Sequence, residues 1–584
     1  MRRFQLLVER VTYGPAMIGQ GFLELSEQNK LWLSVRNRAA FASIFIPTVV
    51  TFFIAMLLSL SRWPVPRMHD DFSNLLVAET LLHGRFSNPT PLAFESMESF
   101  HVVMTPTYAS KFPIGPGAFL ALGKLLFATP VAGLWISAAF ATACISWMML
   151  SHVRARWAFA TGMFVALHPS WQNGWAQEFT HGWLPMAGVA LVFGGVLRIR
   201  RRSMESRALQ WSACRAASAI ALGCVLVLFS RPFDGGIVCM MLIASLIPTI
   251  VSQGWYQRPV FWRTAAPGFS ILLVGCSLQL LINLAVTGRA TQLPYQLHEE
   301  QYGVAPLFIW ALPHEPKLEH RFEELRTFHR TCSYQSWKNA RSLTGYCELM
   351  SHRLSNVLGH WGGVLATFPF ALLLWPRRRR HFTWLFAIAC IAILLINCVP
   401  WVMPAYVASL IPIAIFAAVV GIRGGLDWYQ QFADRDESER SGQGSRKRVS
   451  AIRVKGEYAF LALLLTCHLA ALGITSVARA SLQADWKATW AEERSRLVDQ
   501  LEQTDGNHLV LVQYEPGHDV QEEWVYNHAA PERSRIIWAR FADPALNNSL
   551  LQSYPNRTVW SLSVPSVTLK LATQSNRDSN RSAD

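Results

Sequence analysis

Two adjacent carboxylates, Asp70 and Asp71, stand with His69 and Phe72 about ten residues beyond the first long apolar run of the chain. Ionisable groups at a bilayer are costly to keep uncompensated, so such a pair marks a place where a charge, a metal or a proton is handled. One carboxylate is suited to deprotonating a hydroxyl; its neighbour can tune that basicity, place the acceptor or hold a cation. Phe72, Leu75 and Leu76 recur at helical spacing, so the pair opens a helix. A carboxylate in a first helical turn is equally a cap for the N-terminus. Catalysis and capping are both open to Asp70 and Asp71, with His69 beside them as a substrate contact.

The next polar groups follow closely. His83-Gly84-Arg85, Asn88-Pro89 and Tyr108 lead to Lys111, which precedes a turn built from Pro113, Gly115, Pro116 and Gly117. A rigid turn there would fix an ammonium group at the level of a lipid phosphate, although interfacial lysines also snorkel without function. Arg85 and Tyr108 are expected to touch substrate. Much later, Ser230-Arg231-Pro232-Phe233-Asp234-Gly235 ends an apolar run. Arg231 could fork onto a phosphate and Asp234 bond a sugar hydroxyl, or the two could pair as a helix cap. The link 168–182 carries His168, Trp171, Gln172, Asn173, Trp175, Gln177, Glu178 and His181; Asn173 and His181 are retained as substrate contacts, and the tryptophans read mainly as interfacial. Tyr295, Tyr302 and His320 are weaker contacts. No metal-ligand spacing and no phosphate-cradling Gly-x-x-x-x-Gly-Lys-Ser/Thr occurs, so no metal and no cofactor is called for, while a divalent cation beside Asp70 and Asp71 stays compatible.

These residues need a scaffold in a membrane. Of 584 residues, 51% are hydrophobic and 16% charged, with mean hydropathy +0.21. A soluble chain would carry about a quarter charged residues. Apolar stretches fall at roughly 39–60, 131–150, 157–169, 181–197, 211–229, 236–251, 264–286, 356–375, 381–399, 405–421 and 458–478, about the length that crosses a bilayer. With the N-terminus inside, the arginine clusters at 154/156, 198–202, 377–380 and 446–448 all fall on the cytoplasmic side, and 114–128 becomes an interfacial or re-entrant helix. The net charge of +15 is then topological and does not point to nucleic acid. No cleavable leader is evident in 1–38. Most of the ten cysteines sit in apolar runs; Cys332 and Cys347 share a polar loop where a disulfide is an open option.

The expected organisation is a cytoplasmic segment 1–38, a transmembrane domain 39–478, and an extracytoplasmic unit 479–584. Within the domain, 62–115 forms the catalytic external loop, 287–355 a second external loop, and 422–457 a cytoplasmic linker. In the last unit a helix over 480–503, strands at His508–Tyr514, 535–540 and Thr558–Val564, and a helix over 544–554 predict a small α/β fold, with a disordered tail after Thr573. The fold class is thus an all-α polytopic membrane protein of about eleven transmembrane helices, surface helices in the first external loop, and a small C-terminal α/β domain.

The first-loop carboxylates, His83-Gly84-Arg85, Asn88-Pro89 and Ser110-Lys111-Phe112-Pro113 together resemble the GT-C membrane glycosyltransferases, in particular the bacterial protein-mannosyltransferase-like (GT39-like) group, with a more distant likeness to the aminoarabinose transferases of lipid A. Arg231-Pro232-Phe233-Asp234-Gly235, Glu523-Trp524-Val525-Tyr526-Asn527 and Ile537-Trp538-Ala539-Arg540 are similar to that group as well. The resemblance implies transfer of a sugar from a polyprenyl-phosphate donor to an acceptor hydroxyl, usually with inversion, Asp70 being the base and Lys111 the phosphate contact. Asp71 stands where Glu is more usual, and Phe112 where some members have Pro. Implied partners are the lipid-linked donor, a glycan, lipid or protein acceptor and the bilayer, with the active site on the outer face of the inner membrane. The rival class is a transporter or flippase, which would show repeated halves and charges near the midplane; neither is visible.

Overall fold

The structure, a computed structural model, describes residues 15–200 apart from 181, then 207–361, 379–401, 404–423, most of 459–477, and 489–572. It is a multi-pass membrane protein, mostly helical, with a small sheet at its C-terminal end. Inside hydrocarbon every backbone N–H and C=O must be satisfied within the segment, so long apolar runs become helices.

The helices, in chain order, are α1 (Pro15–Ser61), α2 (His69–Leu82), α3 (Gly115–Phe127), α4 (Val131–Met149), α5 (Ala155–Ala166), α6 (Trp183–Arg200), α7 (Arg207–Leu228), α8 (Asp234–Ala244), α9 (Pro259–Thr287), α10 (Pro294–Tyr302), α11 (Leu343–Trp361) and α12 (Arg379–Ile396). A further helical span, α13, covers Tyr406–Arg423. Among the described residues seven helical stretches are long and apolar enough to cross a membrane: Asn37–Ser61, Val131–Met149, Trp183–Arg200, Trp211–Leu228, Asp234–Ser252, Pro259–Thr287 and Tyr406–Arg423. They occupy seven of the eleven apolar runs. The run at 157–169 is shorter than a crossing: α5 has 12 residues, about 18 Å of helix, against ~30 Å of hydrocarbon. Run 356–375, the linker 422–457, and the basic residues 201–202, 377–378 and 446–448 lie largely or wholly outside the described residues, whereas most of run 458–478 is described and helical.

Burial separates centre from periphery. About 78% of the α4 and α6 spans is buried, against 22% for those of α1, α7 and α9. The outer helices instead expose large apolar side chains such as Phe41, Phe53, Phe269 and Leu273. Tryptophans of the link 168–182 do not form an interfacial belt. Trp171, Trp175 and Trp183 are at most 2% exposed and pack on one another inside the bundle. Gln177 is structural there, accepting from the Ser59 hydroxyl at 2.8 Å and donating to the Ala55 carbonyl.

The loop 62–115 carries α2 and a short antiparallel pair, β1 (Val102–Val103) and β2 (Ala109–Ser110). At the C-terminal end α14 (Trp490–Gln503), β3 (His508–Tyr514), β4 (Ile536–Arg540), α15 (Pro544–Ser553), β5 (Thr558–Val564) and β6 (Thr568–Leu571) form the α/β unit. The sheet order is β4-β3-β5-β6, with β3 parallel to β4 and β5, and β6 antiparallel to β5. The sequence predicts three of these four C-terminal strands and not β6, and it predicts neither β1 nor β2; the tail from 573 lies outside the described residues. Cys332 and Cys347 are both free thiols.

The unit and the loop share a core. Phe72, Leu76, Met104 and Tyr108 pack with Leu511, Tyr526, Ile537 and Leu550. Burial of such side chains stabilises by about 1.5–3 kcal/mol each, so this contact fixes α2 against the sheet.

Candidate active site

The site is built from three stretches that meet at the start of α2. The residue before α2, Met68, has no side-chain acceptor for the free N–H groups of the first turn. Asp71 supplies one from inside: its Oδ2 accepts from the backbone N–H of Arg67 at 2.9 Å and of Met68 at 3.2 Å. Burial pushes the Asp71 carboxyl up to about 7, and those backbone donors temper the rise. Its Oδ1 has no hydrogen-bond partner. Of the two first-turn readings, capping is the geometry Asp71 adopts.

Asp70 points elsewhere, because successive helical residues lie about 100° apart. Its side chain is 23% exposed, and Oδ1 lies 3.4 Å from His101 Nε2. Burial raises its carboxyl; Lys111 and then Arg231 favour the ionised form. Both cations therefore act on Asp70 although they come from distant parts of the chain.

Lys111 is set by the turn around it. Its backbone N–H donates to the His101 carbonyl at 3.1 Å, which also accepts from the Ser73 hydroxyl of α2 at 2.8 Å. Ser73 and Ser110 hydroxyls are 2.6 Å apart. Gly117 then allows α3 to lie on α2, since a Cβ there would come within 2.4 Å of Val77. The Lys111 side chain is 6% exposed, and its ammonium lies 3.2 Å from Glu299 Oε1 and 4.9 Å from the Tyr295 ring centre.

Arg231 is brought in by the same turn. The Gly115 N–H donates to the Phe229 carbonyl at 2.6 Å, and a Cβ on Gly115 would sit 2.3 Å from that oxygen. Only glycine permits this approach, which ties the Lys111 turn to the end of α7. The Arg231 guanidinium lies over the Tyr406 ring, 4.3 Å from its centre. Asp234 is buried and accepts from the Ser409 hydroxyl at 2.9 Å, so joining α8 to α13.

The remaining expected contacts fall outside this cluster. His69 is buried, stacks on Phe100 with ring centres 4.3 Å apart, and bonds the Val520 carbonyl at 3.1 Å. Burial lowers its imidazole to about 4. Tyr108 donates to the Asn527 carbonyl at 2.8 Å, serving the contact with the α/β unit. Arg85 Nε is buried without a hydrogen-bond partner. Asn173 bonds Thr475 and Ser476 near the last apolar run. His181 lies outside the described residues. Tyr302 donates to Glu98, and His320 bonds the Tyr302 carbonyl. Among the described residues no group of three or more His, Cys, Asp or Glu could hold a metal ion.

Residues the sequence reading missed are His101, His298, Glu299, His329 and Tyr406. A signal for some existed. Tyr295, His298, Glu299 and Tyr302 recur at i, i+3, i+4 and i+7, which puts them on one face of α10, and that face meets Lys111 and His101. Burial works to raise the Glu299 carboxyl, and Lys111 with His298 outweighs it and holds the group low.

The α/β unit closes over the site's reverse side. Phe72 stacks on Tyr526 at 4.2 Å and 2°. Glu79 takes His528 Nδ1 at 2.6 Å and the Ala529 N–H at 2.9 Å. Arg540, 1% exposed, bridges Glu523 at 2.5 Å and Glu324 at 3.0 Å while donating to the Glu98 carbonyl. One guanidinium thus joins the sheet, the loop 62–115 and the loop 287–355.

No protein-family model matches the chain, and no curated protein matches it. Among solved structures, the oligosaccharyltransferase of Archaeoglobus fulgidus tethered with an acceptor peptide is 13% identical, with a TM-score of 0.47 over 87% of this chain. This chain spans 65% of that longer protein. ArnT from Cupriavidus metallidurans bound to undecaprenyl phosphate is 13% identical, with a TM-score of 0.47 over 90% of this chain and 94% of its own.

Proposed function

We propose that the protein is a membrane glycosyltransferase of the GT-C type, closest to the protein-mannosyltransferase-like group, which moves a sugar from a polyprenyl-phosphate donor to an acceptor hydroxyl on the outer face of the inner membrane. The observation that carries this reading is the convergence of a partly exposed carboxylate, Asp70, with Lys111 and Arg231, both of which act electrostatically on it.

In this mechanism Asp70 takes the acceptor proton as its oxygen attacks the anomeric carbon. The carbon–oxygen bond to phosphate breaks, and the electron pair leaves with the phosphate. Lys111 and Arg231 stabilise the growing charge on that leaving group, an effect strongest where water is scarce. A single displacement inverts the anomeric centre. Tyr295 and Tyr406 wall the two cations. Asp71 holds α2 in register and touches no substrate in this scheme.

The test is Asp70→Asn in purified protein supplied with a labelled polyprenyl-phospho-sugar. General-base removal is expected to cost about 10²–10⁴-fold in transfer, with expression and membrane insertion unchanged. Full transfer by the variant would refute the assignment; solute flux with no sugar transfer by the wild type would establish the transporter class instead.

A further inference from the structure

Lys111 carries an anion before any phosphate arrives. Glu299 Oε1 lies 3.2 Å from its ammonium, and the Glu299 side chain is 23% exposed where that of Lys111 is 6% exposed. The carboxylate has a seat of its own. A Cβ on Gly303 would come within 2.6 Å of Glu299 Oε2 and 2.7 Å of the Glu299 carbonyl oxygen, so glycine after α10 leaves the room that the carboxylate fills. The backbone beneath it is pinned. The Glu299 carbonyl accepts from the Gly303 N–H at 2.9 Å and meets His314 Nε2 at 3.2 Å. Gln301 donates to the Thr105 carbonyl at 2.8 Å, and Tyr302 to Glu98 at 3.2 Å, which ties the end of α10 to the loop 62–115. Glu299 is thus held against Lys111 from a fixed helix end.

Glycosyl transfer changes the charge that this pair faces. The donor is a phosphodiester with one negative charge. The anomeric carbon–oxygen bond to phosphate breaks, its electron pair stays on the phosphate, the bond to the acceptor oxygen forms, and the acceptor proton goes to Asp70. The polyprenyl phosphate left behind is a monoester, with a charge of about −1.5 to −2 at neutral pH. Lys111 and Arg231, which stabilise that charge as it grows, also retain it once it is made. Coulomb energy scales with the product of the charges, so an anion beside the phosphate opposes the product about twice as strongly as the donor. Asp70 cannot supply this opposition, because it gains the acceptor's proton as the phosphate gains its second charge. Glu299 can. Burial works against its ionisation, Lys111 with His298 prevails, and the carboxylate keeps its charge through the transfer.

We propose that Glu299 is the residue that releases the spent carrier: a resident anion on Lys111 that disfavours dianionic polyprenyl phosphate relative to the monoanionic donor, a role that rests on the glycosyl-transfer reading above. Glu299 acts through Lys111 and touches no reacting atom. It makes and breaks no covalent bond. When the product leaves, Lys111 returns to a counterion already in place, so the buried ammonium is never left unpaired.

The test compares two ligands that differ by one charge. Polyprenyl phosphate and its methyl ester, which keeps the single charge of the donor, are titrated into wild type and Glu299→Gln at about pH 8, where the monoester is doubly charged. Affinities are read by ligand-dependent thermal stabilisation. Loss of the resident anion is expected to tighten both ligands, the monoester by the square of the factor for the ester: about ninefold where the ester gains about threefold. With labelled donor, the first turnover of the variant is expected to be faster than that of wild type, and later turnovers at least about fivefold slower as product stays bound. Glu299→Asp keeps the charge and is expected to lie nearer wild type in both measurements. An equal gain for the two ligands, a first turnover slowed as much as the later ones, or identical behaviour of the Asp and Gln variants would overturn the role of Glu299. A wild type that moves no sugar yet shows the squared relation would keep the discrimination between phosphates and refute the glycosyl-transfer reading instead.

Discussion

Asp71 offers the sharpest separation of structural from chemical roles. Its carboxyl is raised from 3.8 to about 7 by burial. The folded state therefore holds that proton more tightly than the unfolded chain does. Stability falls as pH rises from about 4, and the loss is complete above about 7. A carboxyl with this difference costs the fold roughly 4 kcal/mol at pH 8 and roughly 1.5–2 kcal/mol at pH 5. Asp71→Asn removes the ionisation and keeps one oxygen for the Arg67 and Met68 N–H groups. Its amide N–H₂ would stand where Oδ1 now has no partner, a cost of about 1–3 kcal/mol that does not depend on pH. Relative to wild type, the variant is expected to gain about 2–3 kcal/mol between pH 5 and pH 8. Thermal unfolding in lipid nanodiscs across that range measures the difference, and transfer assays on the same samples measure activity, which should stay within a few-fold of wild type. Parallel stability profiles for the two proteins, or a loss of transfer as deep as that of Asp70→Asn, would refute the capping account.

Three further outcomes are expected. Glu523→Gln leaves the buried Arg540 guanidinium without its main partner and should destabilise by about 3–5 kcal/mol, read by thermal melting, whereas a shift below 1 kcal/mol would show the trio to be dispensable. Glu299→Gln removes the anion that now neutralises Lys111 and should tighten binding of polyprenyl phosphate several-fold, measured by ligand-dependent stabilisation. His528, raised by its bond to Glu79, should hold the loop and the α/β unit together most firmly below pH 6.5 and progressively less as pH rises through its folded value; hydrogen exchange at α2 follows this, and His528→Phe should flatten the dependence.

The sequence marks Asp70, Lys111 and Arg231 because each stands at the end of an apolar run beside turn-forming residues, a local signal. It marks three of the four C-terminal strands for a similar reason, their alternating or apolar runs being short and well bounded. The sequence leaves Asp71 open to two roles because both need a carboxylate in a first turn; only the direction of its Oδ2 separates them. His69 and Tyr108 looked like substrate contacts because they flank Asp70 and Lys111, yet helix periodicity and the β1–β2 turn aim them at the α/β unit. His101 was overlooked because its contact with Asp70 depends on a left-handed backbone that nothing in its neighbours announces. Composition alone points the tryptophans of 168–182 to the membrane interface, while mutual packing buries them.

The closure of α2 by Tyr526 and Val520, with Glu492 holding Arg62 just ahead of that helix, has a consequence for biogenesis. Arg62 and Glu492 are 430 positions apart along the chain. A ribosome adding about 5–20 residues per second needs on the order of half a minute or more to bridge that interval. Throughout it the apolar face carrying Phe72 and Leu76 has no lid. A polypeptide cut short before the final sheet would display that open face to proteases and chaperones, so synthesis of the last hundred residues is what completes the cover over the loop 62–115.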